Sequence, residues 1–363
     1  MLDVALRNLS FRYGEGFALR DVDLLFHRST HTAIAGPAGC GATTLLRLIA
    51  GTLLTKEGDI IFGQRRVNDV KASRRPLLFV TSTLDVSPRW TVQHALVAAV
   101  RTRSLDRIDR HREYDLAAEK WELVPLLERR IGTLSSTEAA RVQLARIELL
   151  RPAILVADRL LERVSPAARE ILADAFYRIL RVFGTTVISA PASRDELAFT
   201  DSIAVMDGGR VVQHGNAAEV FTRPVSDAAA IAVGDVDVVP VTVRGNFVES
   251  VIGMWEMEAP PFQGSGVALV RPSDFVAPLP GEDFDFVFGV EEAGFANGRW
   301  LARGVLSGNV ALRVELPRET NVHKGRLLAL RYDPTRFRLL PRETTPLQPT
   351  IPTDVVPPMS ETR

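Results

Sequence analysis

The sequence predicts an α/β domain built on a parallel sheet, followed by a smaller β-rich domain. A strand, a glycine loop and a helix follow one another across residues 30–49. Near-continuous apolar runs such as Ala153-Ile154-Leu155-Val156-Ala157 have the composition of strands covered on both faces. Beyond about residue 235 the apolar period changes to two, as in half-buried strands. At 363 residues the chain exceeds what one ordinary domain needs, and its length predicts two.

Each element can be justified in order. Two short apolar runs between Asp3 and Asp23 flank Tyr13-Gly14-Glu15-Gly16 and predict strand, turn and strand. Thr30–Ala35 predicts the next strand, Gly36–Gly41 a loop, and Ala42–Ile49 a helix by its apolar spacing. Residues 91–130 are rich in Ala, Leu, Arg and Glu and lack Gly, which predicts a helical block; a further helix is expected over 137–150. Ala153–Ala157, Thr185–Ser189 and Ser202–Met206 predict buried parallel strands. In the second half, Asp283–Phe288 alternates most plainly and Asn297-Gly298 predicts a hairpin turn. Val267–Phe275 faintly repeats as Leu328–Phe337, hinting at an internal duplication. Six prolines in the last 23 residues predict an extended tail.

Composition bounds the function. There are 44 basic and 44 acidic side chains, with 46% apolar and 24% charged residues, which excludes disordered and collagen-like classes. Residues 235–363 carry 13 basic and 17 acidic groups, leaving 31 and 27 for residues 1–234. With no strongly basic half, no nucleic-acid partner is expected. Cys40 is the sole cysteine and cannot form an internal disulfide; Met1 leads into Asp3 and Arg7 without a signal-like apolar core, so the cytoplasm is expected. No run approaches the roughly 18 apolar residues of a membrane-spanning helix, so any membrane role is expected through partners.

A phosphate-binding loop needs glycines so that several backbone N–H groups can point at phosphate oxygens, with the helix dipole behind them. Gly36, Gly39 and Gly41 meet that need. The full pattern places lysine where Ala42 stands, while Thr43 keeps the magnesium-binding hydroxyl. Alone, the loop reads equally well as a tight strand-to-helix turn.

Further motifs come in order along the chain: Tyr13; Arg74–Val92; Leu134-Ser135-Ser136-Thr137-Glu138 with Arg141–Arg146; Ala153–Asp158; and Asp201–Gly215. Together they resemble, over nearly the whole chain, the ATPase subunit of ATP-binding-cassette (ABC) importers of the maltose and glycerol-phosphate type. Asp201–Gly215 is the most specific match, and Arg271-Pro272-Ser273-Asp274-Phe275 is similar to an element of that family's C-terminal regulatory β domain.

The resemblance implies a P-loop ABC nucleotide-binding domain over 1–234, with a helical subdomain at about 88–150. After it come a β-rich, OB-like (TOBE/MOP-type) regulatory domain at 235–341 and a tail at 342–363. It implies ATP and Mg as cofactors. Tyr13 would stack on adenine, and Gly36, Gly39, Cys40, Gly41, Ala42, Thr43 and Thr44 would hold phosphates. Ser135 would serve a partner's nucleotide, and Thr43 with Asp158 would hold the magnesium.

The chain departs from this pattern at the chemical positions. Ala42 replaces lysine. Arg159 replaces the glutamate that polarises water and, staying protonated, cannot be a general base. Pro191 stands at the histidine position, Ser82 at the glutamine position, and Glu162-Arg163-Val164-Ser165 at the dimer-contacting loop. Ser136 and Thr137 fill glycine positions of the signature, and Glu138 adds a negative charge. Arg159 either supplies the positive charge that Ala42 lacks or pairs with Asp158 or Glu162. A helix N-terminus lowers a thiol pKa, but Cys40 reads more simply as a small packing residue.

The resemblance and the departures together imply a catalytically impaired nucleotide-binding subunit of an importer for a small polar solute of the sugar, polyol or glycerol-phosphate class. It would pair with an intact homologous ATPase beneath two membrane permeases, at the cytoplasmic face of the inner membrane. A periplasmic or extracellular solute-binding protein would take part indirectly. The alternatives are an active homodimeric transport ATPase, or a regulatory module with no transport role.

Overall fold

A computed structural model describes residues 2–14, 16–279 and 281–342. The chain divides into two compact units, the first ending at Ala217 and the second beginning at Ala218.

The first unit contains β1 (Val4–Tyr13), β2 (Gly16–Phe26), β3 (His31–Ala35), β4 (Asp59–Phe62), β5 (Arg65–Arg66), β6 (Leu78–Thr81), β7 (Ile154–Asp158), β8 (Thr186–Ala190), β9 (Ser202–Asp207) and β10 (Arg210–Asn216). Its helices are α1 (Ala42–Ala50), α2 (Val92–Val100), α3 (Arg107–Lys120), α4 (Ser136–Leu150) and α5 (Pro166–Phe183). One sheet has the order β10-β9-β3-β8-β7-β6, parallel except for the terminal hairpin of β9 with β10. A second, antiparallel sheet has the order β2-β1-β4-β5.

The apolar runs are strands because both their faces are covered. Ile154 and Val156 of β7 pack with Leu45, Leu48 and Ile49 of α1 and with Val4, Leu6 and Phe26 of the antiparallel sheet. Leu155 and Ala157 turn the other way, into a cluster with Leu96, Leu144, Phe176 and Leu180 from α2, α4 and α5. The expected helical block at 91–130 is two helices, α2 and α3, separated at residues 101–106, where Asp106 accepts from the Asp109 N–H as the α3 N-cap.

Two buried polar groups in this unit were not legible from composition. Arg75 is only 5% exposed, and its guanidinium donates to the carbonyls of Leu48, Ile49, Val70 and Asn68. It thereby caps the negative end of α1 through carbonyls alone. Arg75→Ala removes the guanidinium donor from those carbonyls, of which that of Leu48 keeps the Gly51 N–H, and is expected to cost about 2 to 4 kcal/mol. Urea unfolding checks this, and a loss below about 1 kcal/mol contradicts the capping role.

His31 is likewise buried. It stacks on Tyr177 at 4.3 Å, lies 3.1 Å by Nδ1 from the Phe199 carbonyl and 2.8 Å by Nε2 from Ser189 Oγ. Because a carbonyl only accepts, Nδ1 carries the proton and Ser189 donates to Nε2. Burial pushes its pKa from 6.5 down to about 4. The unfolded chain therefore takes up the proton first as pH falls. Stability is complete above about pH 6.5 and declines between 6.5 and about 4, by up to about 3 kcal/mol. His31→Gln is expected to flatten that limb, and urea midpoints between pH 4.5 and 7.5 that slope equally in both proteins would refute it.

The second unit begins within α6 (Ala217–Thr222), includes α7 (Asp227–Val233), and is otherwise β. Its strands are β11 (Asp237–Arg244), β12 (Phe247–Ser250), β13 (Gly253–Glu256), β14 (Gly264–Val270), β15 (Phe275–Val276), β16 (Phe286–Gly289), β17 (Glu292–Ala296), β18 (Arg299–Leu306), β19 (Val310–Pro317), β20 (Leu327–Tyr332) and β21 (Arg338–Pro341). The contact division thus falls earlier than the change of period at 235. Of the alternation over Asp283–Phe288, only the stretch from Phe286 is strand; Phe286 and Phe288 are buried and Val287 is exposed, as a period of two requires. Asn297 and Gly298 form the turn between β17 and β18, with φ of 52° and 76°.

The faint repeat has a structural counterpart. Pro272–Asp274 and Pro334–Arg336 are each a single helical turn between two strands. The strands then exchange partners: β14 pairs with β21, and β15 with β20, both antiparallel. Phe275 and Phe337, equivalent in the two copies, lie 6.2 Å apart. Arg271 sits over the Phe221 ring at 3.6 Å and donates to the carbonyls of Phe221 and Asp235. Arg313 holds Asp237, Asp235 and the Val236 carbonyl. Together these two arginines fix the stretch from α6 to β11 onto its own β unit. The Pro-rich tail, from residue 343 on, lies outside the described residues.

Candidate nucleotide site at the strand ends

β3 ends at Ala35, and the chain turns through Gly36–Gly41 into α1. The glycines have separate reasons. A Cβ on Gly36 would lie 2.1 Å from the Met206 carbonyl oxygen, and one on Gly41 would lie 2.9 Å from that of Ala18. Gly39 has open space around it but a φ of 82°, which other residues rarely adopt. The loop is fastened from behind: the Cys40 N–H donates to the Pro37 carbonyl, and the Cys40 carbonyl accepts from the Gly209 N–H.

Gly41 is the N-cap of α1 and supplies no side-chain cap; nor is there an acidic residue in the first turn. The first N–H groups of α1 thus keep both their donors and the positive end of the helix dipole for an anion. Cys40 is 7% exposed and burial raises its thiol pKa, so the packing reading of this residue holds and no activation is seen.

The registers of the parallel sheet place the other positions beside the loop. Thr81 pairs with Asp158 and Asp158 with Ala190, so Ser82, Arg159 and Pro191 leave the carboxyl ends of adjacent strands together. Ligands of open α/β sheets bind outside these ends. Thr43 Oγ1 donates to Asp158 Oδ1 at 3.1 Å, joining residues 115 apart in sequence. Asp158 is 8% exposed; burial raises its pKa, opposed by the Thr43 hydrogen bond and by the charges of Arg47 and Arg159. Two hard oxygens held this closely fit a magnesium ion that completes its shell with water and phosphate. Thr43 and Asp158 would hold such an ion, and bound there it would neutralise phosphate charge.

Arg159 sits in the left-handed region at φ 50°, held by its N–H donating to the Ala190 carbonyl at 2.8 Å. Its guanidinium is half-exposed and pairs with Glu162 at 3.2 Å. Arg159, just past the end of β7, is a permanent cation, and Pro191, just past β8, contributes neither side-chain donor nor N–H.

Two further predicted residues lie on other elements. Tyr13 ends β1, 49% exposed and with its ring edge-on to Phe11 at 4.9 Å. Ser135 is the N-cap of α4. Its Oγ accepts from the Glu138 N–H, while Glu138 Oε2 accepts from the Ser135 N–H at 2.7 Å. Arg129 pairs with Glu138 Oε1 at 3.0 Å, and the backbone hydrogen bond holds the Glu138 carboxyl below the usual range. Glu138 is therefore a reciprocal cap rather than a bare negative charge. The signal was present: Ser-x-x-Glu ahead of a helix is the capping-box pattern.

A glycine loop between a central parallel strand and an uncapped helix, with a Thr–Asp pair beside it, defines the P-loop nucleotide-binding class. The fold is that of ABC ATPases: a nucleotide-free ATP-binding cassette from an ABC transporter superposes with a TM-score of 0.54 at 21% identity, covering 65% of this chain and 100% of that one. The family model "ABC transporter" matches residues 19–160. The sn-glycerol-3-phosphate import ATP-binding protein UgpC of Rhodopseudomonas palustris is 30% identical over 76% of this chain and 75% of its own length. The Fe(3+) ions import ATP-binding protein FbpC of Fusobacterium nucleatum is 26% identical over 76% of each chain. The maltose/maltodextrin import ATP-binding protein MalK of Salmonella typhimurium is 28% identical over 69% of each. This chain belongs to the ABC transporter ATP-binding family. No helix among the described residues is long and apolar enough to cross a membrane.

Proposed function

We propose that this chain is the ATP-binding subunit of an importer for a small polar solute, bound to the cytoplasmic face of two permeases, and that its own site binds nucleotide without hydrolysing it at a useful rate. The observation that carries this reading is the pairing of a preserved phosphate and magnesium cradle with a dismantled reaction centre. The uncapped α1 terminus and the Thr43–Asp158 pair remain, whereas Arg159 is engaged with Glu162 where a base is needed. The relatives' names supply the import direction, and their cargoes range from a phosphate ester to a sugar to iron.

Loss of the base favours an asymmetric motor, in which an intact homologous ATPase contributes the hydrolysing site and this chain contributes dimer closure. A solute-binding protein outside the membrane delivers cargo to the permeases, and the β-rich unit serves as the regulatory domain. Tyr13, half-exposed at the end of β1, is the candidate for the base-stacking residue. Affinity purification of the full chain from its native membranes in mild detergent tests the proposal. Recovery with two permeases and a second ATPase carrying the loop lysine and the glutamate supports it; recovery only as a self-dimer overturns it.

A further inference from the structure

The glycine loop and the first turn of α1, Gly36–Leu46, contain no lysine or arginine. An oligophosphate seated there meets backbone N–H groups and the helix dipole but no full positive charge from the loop itself. The residues that follow β6, β7 and β8 are Ser82, Arg159 and Pro191, and of these only Arg159 is charged.

The Arg159 backbone is firmly placed beside the loop. Asp158, its neighbour in sequence, accepts from Thr43 Oγ1 at 3.1 Å, and the Arg159 N–H donates to the Ala190 carbonyl at 2.8 Å. Burial raises the Asp158 pKa, and the Thr43 hydrogen bond and the charges of Arg47 and Arg159 oppose it, so the Arg159 charge is already felt at the carboxylate that touches the loop. The far end of the side chain is held less tightly. Its guanidinium pairs at 3.2 Å with Glu162, in a turn closed by the Glu162 N–H donating to the Arg159 carbonyl at 3.0 Å. The two side chains are 55% and 45% exposed, and water screens an ion pair so placed until it contributes little. A phosphate offers the guanidinium fork two oxygens at once, in shorter and stronger charge-assisted hydrogen bonds.

We propose that Arg159 is the phosphate-binding cation of this site, drawn off Glu162 and onto the phosphate chain when a nucleotide enters the loop. This rests on the reading that the loop binds nucleotide. Glu162 then acts as a stand-in anion, holding the arginine beside the site while it is empty and returning to water when phosphate replaces it.

Calorimetric titration of the full chain with ATP at constant magnesium tests this. Arg159→Gln is expected to weaken binding about tenfold. Glu162→Gln, which frees the guanidinium, is expected to tighten it by about two- to threefold. In an Ala42→Lys background Arg159→Gln should cost about threefold at most, because the loop then carries its own cation and the two effects are not additive. An affinity that Arg159→Gln leaves unchanged, with circular dichroism showing the variant folded, overturns the proposal, as does one that Glu162→Gln fails to raise. If ATP binding is retained in those cases and tightened by Ala42→Lys, nucleotide binding at the loop stands without Arg159. Absence of ATP binding in both the parent and Ala42→Lys overturns the reading of the loop and the proposal with it.

Discussion

Ala42→Lys is expected to tighten ATP binding ten- to hundredfold. A lysine one residue before Thr43 brings an ammonium to the outer phosphates, and a charge-assisted contact of that kind contributes about 1.5 to 3 kcal/mol. The same substitution should slightly weaken the nucleotide-free protein, by about 0.3 to 1 kcal/mol, because it sets a cation at the positive end of α1. Phosphate release should stay at background, since Arg159 still occupies the base position. Calorimetric titration of ATP with magnesium gives the first quantity, and a gain under threefold would falsify the placement of residue 42 at the phosphates.

Gly36→Ala should be one of the most damaging single methyls in the first unit. The added carbon meets a backbone oxygen of β9 at 2.1 Å and the Cys40 sulfur at 2.9 Å, and neither is the free end of a flexible side chain. Either β3 and β9 separate or the loop is displaced, at an expected cost of at least about 3 kcal/mol together with loss of nucleotide binding. Gly39→Ala is the control, because its methyl enters open space and only the positive φ opposes it, at about 1 to 2 kcal/mol. Equal urea midpoints for the two variants would show that the loop tolerates the shift.

Much of this architecture could be read before any coordinates. The apolar runs at 153–157, 185–189 and 202–206 are strands because burial on both faces leaves no reason for alternation. The loop was visible because glycine is required by backbone geometry, which local sequence records. Pairings between distant residues were not visible. The Thr43–Asp158 contact spans 115 positions, and only resemblance placed both residues at one ion. Arg159 had two or more acceptable partners, and the choice of Glu162 depends on a left-handed backbone that no neighbouring residue announces. Arg75 and His31 read as surface residues by type, and only the packing around them reveals the carbonyls that need a donor and the serine that supplies one.

The exchanged strands of the second unit constrain how this chain can be made. β14 emerges from the ribosome as one of the early strands of its unit, yet Gly266 must wait for Pro341, 75 residues later, before its outer edge is covered. β15 waits in the same way for Tyr332. Closure of such long loops is slow compared with local hairpin formation. Throughout that interval β14 displays an open row of amide and carbonyl groups, a template for pairing with another nascent chain. The two halves of the duplication therefore complete each other only after synthesis has passed β21, and a released chain that ended between Tyr332 and Arg338 would be able to close the β15–β20 pair but not the β14–β21 one.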